Sequence, residues 1–338
     1  MKILKVLPDE RFKTMAYGSN SPLIKAIKER YGYDEVMYDP NMTEAEYAEL
    51  IRGYDVLLTM WQSPHVPNEL ATNPGKLRYI CNITGEMTKW IDLDIIESPL
   101  LKVTNWGNAP AFGIAEGAFS LLMSVMKDIP LHIKNTKEKG MRPPADERQT
   151  TLYKRKIGIY GLGAIGMKFL EFLRPFEPNV YVFDPYLKNI PEDVTMVDTL
   201  EELFSVSQIV VIHAGLTDAT RGSVKAEHLA MLPDGGILIN TARGQIVDFD
   251  AMKKELFSGR LRAGLDVVTE DNMPAEDDPV RSLDNVIFTA HHIGAYPWGK
   301  IPEDLDFAEE ICLRNLKHFE NGEELEFVMT PERYKLST

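Results

Sequence analysis

Cysteine is scarce in this chain, with Cys81 and Cys312 the only two in 338 residues. Neither sits in a C-x-x-C pair or beside a histidine cluster. That excludes a disulfide framework and a thiolate zinc centre, and it reads as two reduced thiols in a cytoplasmic protein. No apolar run approaches the ~20 residues that cross a bilayer. The opening stretch Met1-Lys2-Ile3-Leu4-Lys5-Val6-Leu7 is too short in its apolar part for a secretory signal. Positive charge is in deficit, with 37 Lys and Arg against 51 Asp and Glu and a formal net charge of -14. A balance of that sign repels phosphate backbones and anionic membranes, so neither nucleic acid nor a membrane surface is expected as a partner. It leaves room for a local cationic pocket that holds a small anion. Low-complexity tracts and solenoid repeats are missing too.

What is present is an alternation of short β-like runs and amphipathic helical patterns. Residues 2–7, 35–38, 55–59 and 78–83 read as strands. Ser21-Pro22 opens one helix between them, and Thr43-Glu44-Ala45-Glu46 opens another as a capping box, with Gly53 after its end. Such a rhythm implies a parallel sheet covered on both faces. Residues 110–126 form a long, small-residue-rich apolar helix. Residues 134–151, with Gly140, Pro143 and Pro144, read as a surface connector. A second series of strands follows at 156–160, 180–183, 209–212, 236–240, 263–267 and 286–288, and a helix over 302–319 closes the pattern. The fold class expected is α/β, with two doubly wound parallel-sheet domains.

The sharpest local signal is Lys156-Ile-Gly-Ile-Tyr-Gly161-Leu-Gly163-Ala164-Ile165-Gly166. It follows a strand, opens a helical run, and is succeeded by a strand ending in Asp184, near the spacing of about 20 residues at which a dinucleotide fold places its acidic residue. Gly161 permits the tight turn, Gly163 lets a pyrophosphate approach the backbone, and Gly166 lets the helix pack on the sheet. The helix start offers N–H groups and a positive dipole end to phosphate. Asp184 would accept ribose hydroxyls and repel a 2′-phosphate, so NAD is the expected cofactor. Three polar clusters then follow later strands, where open α/β sheets bind ligands. They are Asn240-Thr241-Ala242-Arg243-Gly244, then Asp266 with Glu270-Asp271, then His291-His292. Arginine, carboxylate and histidine are an anion clamp, a pKa tuner and a proton carrier. No metal is expected.

With these residues goes a set of longer stretches: 115–123, His213-Ala214-Gly215-Leu216-Thr217, Gly264-Leu265-Asp266-Val267, 285–291 and 315–322. Together the chain resembles the NAD-dependent D-isomer-specific 2-hydroxyacid dehydrogenases, in family order over nearly the whole length. The resemblance implies a Rossmann NAD domain, residues 103–295, inserted into a flavodoxin-like substrate domain, residues 1–102 plus 296–338. It also implies a homodimer with the 110–126 region at or near the interface. On a chain ending at Thr338, no appended regulatory domain is expected.

By the same resemblance, Arg243 grips the substrate carboxylate and carbonyl, and His291 is the general acid and base, with His292 as its rival. Asp271 is the carboxylate paired with the histidine by alignment, and Glu270 is the alternative. His213, Ala214, Thr217, Thr241, Ala242 and Asp266 join the glycine loop and Asp184 as cofactor contacts. Thr84, Gly85 and Glu86 form the substrate loop. Departures from the family pattern are Ala290 where proline is usual before the histidine, Asp271 where glutamate is usual, and Met87 in place of a second loop glycine. Glu86 raises the question of a negative charge beside an anionic substrate. Trp61, Trp106 and Trp298 are further aromatic candidates. The implied partner is a small 2-oxoacid or 2-hydroxyacid. A rival of another class is an NAD(H)-sensing binding protein on the same fold, like the corepressors related to this family.

Overall fold

The structure is a computed structural model that describes residues 1–14, 18–139, 150–269, 273–294 and 307–336. The chain divides into two compact units, Met1–Pro110 with Pro297–Thr338, and Ala111–Tyr296.

The first unit contains β1 (Ile3–Leu7), α1 (Pro22–Arg30), β2 (Asp34–Met37), α2 (Glu44–Arg52), β3 (Val56–Thr59), β4 (Tyr79–Asn82), α3 (Leu93–Glu97) and β5 (Lys102–Thr104). Local chemistry sets the helix starts. The Ser21 side chain accepts the Ile24 N–H ahead of α1, where Pro22 needs no N–H partner. Thr43 and Glu46 form the reciprocal capping box of α2. The sheet runs β2-β1-β3-β4-β5, all parallel, the flavodoxin-like order. Alternate residues of β1 feed opposite cores: Ile3 and Leu7 pack with α1, Leu4 and Val6 with α2. β5 was not legible as a strand, being three residues long, and the expected boundary between residues 102 and 103 falls inside it.

The second unit begins with α4 (Ala111–Met126) and α5 (Ile129–Lys139), then β6 (Lys156–Tyr160), α6 (Ala164–Leu173), β7 (Asn179–Phe183), β8 (Val194–Met196), α7 (Leu200–Val206), β9 (Ile209–Ile212), α8 (Ala226–Met231), β10 (Ile237–Asn240), α9 (Phe249–Phe257), β11 (Arg262–Leu265) and β12 (Val286–Phe288). The remaining helices, α10 (Phe307–Asn321) and α11 (Pro331–Leu336), belong to the first unit. The second sheet runs β12-β11-β10-β9-β6-β7-β8, the Rossmann order with one strand more at the far edge. β8 is a three-residue edge strand that the pattern did not reveal. The stretch read as a connector from residue 134 starts instead inside α5, and residues 140–149 lie outside the described set. Among the described residues no helix is long and apolar enough to cross a membrane.

Two features lock the second unit below its ligand edge. Arg262 at the start of β11 meets Asp128, in the turn between α4 and α5, at 2.7 Å with both side chains almost fully buried. Gly264 lets the Leu121 side chain of α4 lie on β11, since a Cβ there would be 2.5 Å from it. The strand order reverses between β6 and β9, so a crevice opens at their carboxyl ends.

Candidate nucleotide and substrate sites

The glycine loop occupies the carboxyl end of β6. Gly161 has φ +88°, and a Cβ there would lie 2.6 Å from the Ala214 nitrogen, so the loop and the end of β9 approach only through glycine. Gly166 is confined in the same way, with the Gly161 carbonyl oxygen 2.5 Å from where a Cβ would be. Gly163 differs: nothing lies within 4 Å of its Cβ position. Protein packing does not demand glycine there, whereas a ligand lying on the backbone would. Helix α6 starts with no side-chain cap, and the N–H groups of Gly163, Ala164 and Ile165 have no acceptor among the described residues. Asp184 sits at the end of β7, where its carboxylate accepts the N–H of Leu162 at 2.8 Å and that of Tyr186 at 2.9 Å. It thereby ties the glycine loop to the neighbouring strand.

Beside this loop, two buried polar atoms lack partners among the described residues, the His213 Nε2 and the Thr241 hydroxyl. Burial pulls His213 down to about 3, so its ring is neutral, and it rests on Phe169 at 5.0 Å between centroids. Thr217 closes a turn with Thr220 after β9, each backbone N–H meeting the other's hydroxyl. Open space at Gly163, an uncapped helix start and two orphaned polar atoms at one sheet edge fit a dinucleotide.

Arg243 and His291 come from the ends of β10 and β12. Asn240 shapes the first loop: its amide accepts from Ala242 N at 3.0 Å and donates to Arg243 O at 3.0 Å. Gly244 packs flat on Val268 and Thr269, with a Cβ position 2.5 Å from the Val268 carbonyl carbon. Asp266 is buried, and its carboxylate collects the Thr289 hydroxyl at 2.5 Å, the His292 N–H at 3.0 Å and the Ile293 N–H at 3.2 Å. Its own carbonyl takes the His291 N–H at 2.6 Å. Expected as a cofactor contact, Asp266 is thus the group that shapes the turn carrying His291.

That turn is unusual, because Ala290 and His291 are both left-handed, at φ +53° and +59°. Proline, locked near −65°, has no access to such a conformation, so this turn excludes proline at position 290. Desolvation lowers the His291 pKa. Asp266 opposes that shift, while Arg243 and His292 add to it. Arg243 and His291 therefore stand within electrostatic reach of each other. His292 turns its Nδ1 onto the Ala290 carbonyl at 2.5 Å. Glu270 and Asp271 lie outside the described residues.

In the first unit, Thr84, Gly85 and Glu86 follow β4. Asn82 organises this loop, donating to Thr84 O at 2.7 Å and Glu86 O at 3.1 Å while accepting from Thr59 and the Trp90 indole. Met87, standing where a second glycine was expected, is fully buried and anchors the loop in the core. The N–H groups of Thr84, Gly85 and Glu86 have no acceptors among the described residues, an arrangement suited to an anion. Glu86 is partly buried and paired with Lys89 at 3.0 Å, so a cation meets its charge locally. Trp106 lies against Gly85, with its Nε1 2.3 Å from the Cβ position, and meets Trp61 edge-on at 5.5 Å. Trp298 lies outside the described residues. Asn82, Asn105 (which donates to Gly85 O at 3.2 Å) and Thr289 were missed from sequence, because an asparagine or threonine that shapes a loop carries no distinguishing spacing.

Fold order and glycine-loop geometry together define a Rossmann dinucleotide-binding protein. Residues 119–293 match the family described as "D-isomer specific 2-hydroxyacid dehydrogenase, NAD binding domain", and the chain belongs to that family. Among its relatives is a D-3-phosphoglycerate dehydrogenase of Methanocaldococcus jannaschii, 30% identical over 79% of this chain and 51% of the relative. The chain thus spans about half the length of that relative. A glyoxylate reductase of Pyrococcus furiosus is 28% identical over 92% of each chain. Among solved structures, a D-isomer specific 2-hydroxyacid dehydrogenase from Lactobacillus delbrueckii ssp. bulgaricus, in an NAD-complexed form, shares the fold with a TM-score of 0.74 at 20% identity, covering 97% of this chain and 100% of that one.

Proposed function

We propose that the chain interconverts a small 2-oxoacid and the corresponding D-2-hydroxyacid with NADH and NAD. The observation that carries this reading is that Arg243 and His291 follow the carboxyl ends of β10 and β12, on either side of β11 in the NAD-binding sheet, with the Arg243 charge felt at His291. The bound nicotinamide supplies the hydride.

Arg243 presents a planar, permanently charged fork that suits a carboxylate and an adjacent carbonyl oxygen. His291, protonated, donates a proton to the carbonyl oxygen as it gains negative charge, and takes one back in the oxidative direction. The N–H groups of Thr84, Gly85 and Glu86, without acceptors among the described residues, suit the substrate carboxylate. In this reading Asp184, an acidic residue just after the second strand of the glycine-loop unit, favours NAD over NADP because it would repel a 2′-phosphate. Glu270 or Asp271 serves as the second carboxylate partner of the histidine in this reading. The chain works as a homodimer, which the exposed apolar Phe112, Ile129 and Ile133 on α4 and α5 support.

The test follows loss of NADH absorbance with glyoxylate, pyruvate, hydroxypyruvate and bulkier branched and aromatic 2-oxoacids. Turnover that falls by on the order of 10²-fold or more in Arg243→Ala is expected, by analogy with the loss of other transition-state charge stabilisers. Tight NADH binding without turnover of any acid would sink the reading. Sedimentation velocity measures the assembly, with a two-chain species expected.

A further inference from the structure

The two cysteines, far apart in sequence, meet in the core of the first unit. Cys81 on β4 and Cys312 on α10 bring their sulfurs to 3.3 Å, and both are buried and free. Around Cys81 is a hydrogen-bonding set that suits a thiolate. The Thr104 hydroxyl points to its sulfur at 4.0 Å and shares a 2.6 Å bond with the Tyr79 hydroxyl. Donation from Cys312, with a hydroxyl of the Tyr79–Thr104 pair, lowers the Cys81 pKa against its burial, while Cys312 is pushed up as the thiol that gives its hydrogen bond to Cys81 and as a buried group. Two free cysteine sulfurs at this distance are placed so that a disulfide forms with little movement, the sulfurs closing to about 2 Å.

We propose that Cys81 and Cys312 are a peroxide-reactive dithiol that closes to a disulfide and ties β4 to α10. The Cys81 thiolate attacks one oxygen of a hydroperoxide. An S–O bond forms, the O–O bond breaks, and the leaving alkoxide takes up the proton that Cys81 released. Cys312, deprotonated, then attacks the sulfenic sulfur. The S–S bond forms, the S–O bond breaks, and hydroxide leaves as water with the Cys312 proton. Two thiols lose two electrons, and the hydroperoxide is reduced to an alcohol and water. The tie has a functional address, since Asn82, which shapes the loop of Thr84, Gly85 and Glu86, directly follows Cys81. It also closes a long loop of chain and so raises the stability of the first unit.

The experiment treats the reduced, folded full chain with hydrogen peroxide, with circular dichroism recorded throughout. Catalase quenching, alkylation in denaturant, digestion and mass spectrometry follow. The expected result is a peptide pair linked through Cys81 and Cys312, two hydrogens lighter than the reduced pair, which dithiothreitol separates. The link should be absent from Cys312→Ala, where Cys81 should instead be trapped by dimedone as the sulfenic acid. Two outcomes overturn the proposal: both thiols remain alkylatable for as long as the protein stays folded, or oxygen adds to a single sulfur without cross-linking. The wild-type measurement decides the matter even if the alanine variant does not fold.

Discussion

At the three loop glycines one added methyl group meets three different surroundings. At Gly161 it would strike the Ala214 backbone in a left-handed turn, and at Gly166 the Gly161 carbonyl. At Gly163 it would enter open space. Gly161→Ala is therefore expected to destabilise the protein, by at least the roughly 1–3 kcal/mol of a non-glycine residue held in a sparsely populated backbone region. Gly163→Ala should leave the thermal midpoint unchanged and weaken NADH binding. Calorimetry and fluorescence titration separate the two, and equal losses of stability would show that the space at Gly163 is not reserved for a ligand. Position 290 gives a second residue-scale expectation. Ala290→Gly should be tolerated at φ +53°, whereas Ala290→Pro should lower both the thermal midpoint and turnover, although proline is usual there in the family. A fully active, stable proline variant would contradict the left-handed turn.

In the proposed reading, with His291 as the general acid, its titration sets the pH dependence. Reduction needs its protonated form, so kcat/KM for an oxoacid is full at low pH and falls as pH rises through the His291 pKa. Oxidation of the hydroxyacid follows the opposite course. Desolvation holds that pKa below the ordinary value of about 6.5, so the reductive limb should turn on the acid side of it. A midpoint well above neutrality would mean that a further carboxylate outweighs desolvation. His291→Gln should cost about 10²- to 10⁴-fold in turnover, the usual contribution of a positioned general acid.

Among the elements, the turn after β12 is held from the end of β11 as well as by its own Thr289–His292 hydrogen bond. One Asp266 oxygen gathers three donors from residues 289–293. Asp266→Ala removes all three acceptor contacts at once; the donors are only partly buried and the His292 N–H keeps the Thr289 carbonyl at 3.0 Å, so the cost is that of the lost hydrogen bonds, about 0.5–1.5 kcal/mol each. It is expected to lower stability and kcat together. Asp266→Asn, which keeps an acceptor oxygen, should recover most of the stability. If the alanine variant retained full kcat, the turn would not depend on Asp266. The substrate loop follows the same logic. Asn82 spans it from within, and Met87 and Trp90 fix its far end in the core, so the free N–H groups are presented by a rigid frame.

For the whole molecule, each unit has its own pair of cores, one on each face of its sheet. Unfolding is therefore expected in two calorimetric transitions. NADH should raise only the transition of the second unit, by about 2.7 kcal/mol at a hundred times its dissociation constant. A single transition moved as one by NADH would mean that the units unfold together. The buried Arg262–Asp128 pair belongs to the second transition, and loss of one partner from such a pair is costly because it strands the other charge.

The sequence by itself determined the α/β class, the capping box of α2, the glycine loop with Asp184, and the order in which arginine and histidine follow their strands. These features are local, set by periodicity and by residue types at short spacing. Beyond its reach were the three-residue strands β5 and β8, which carry too few residues to show a period, and the helical start of the segment after Met126. Only the tertiary structure decided that Asp266 shapes a turn, that Glu86 is met by Lys89, and that Cys81 and Cys312 touch. Each of these depends on groups brought together by parallel strand pairing or by the return of the C-terminal helix. Contacts of that kind leave no periodic trace in the chain that makes them.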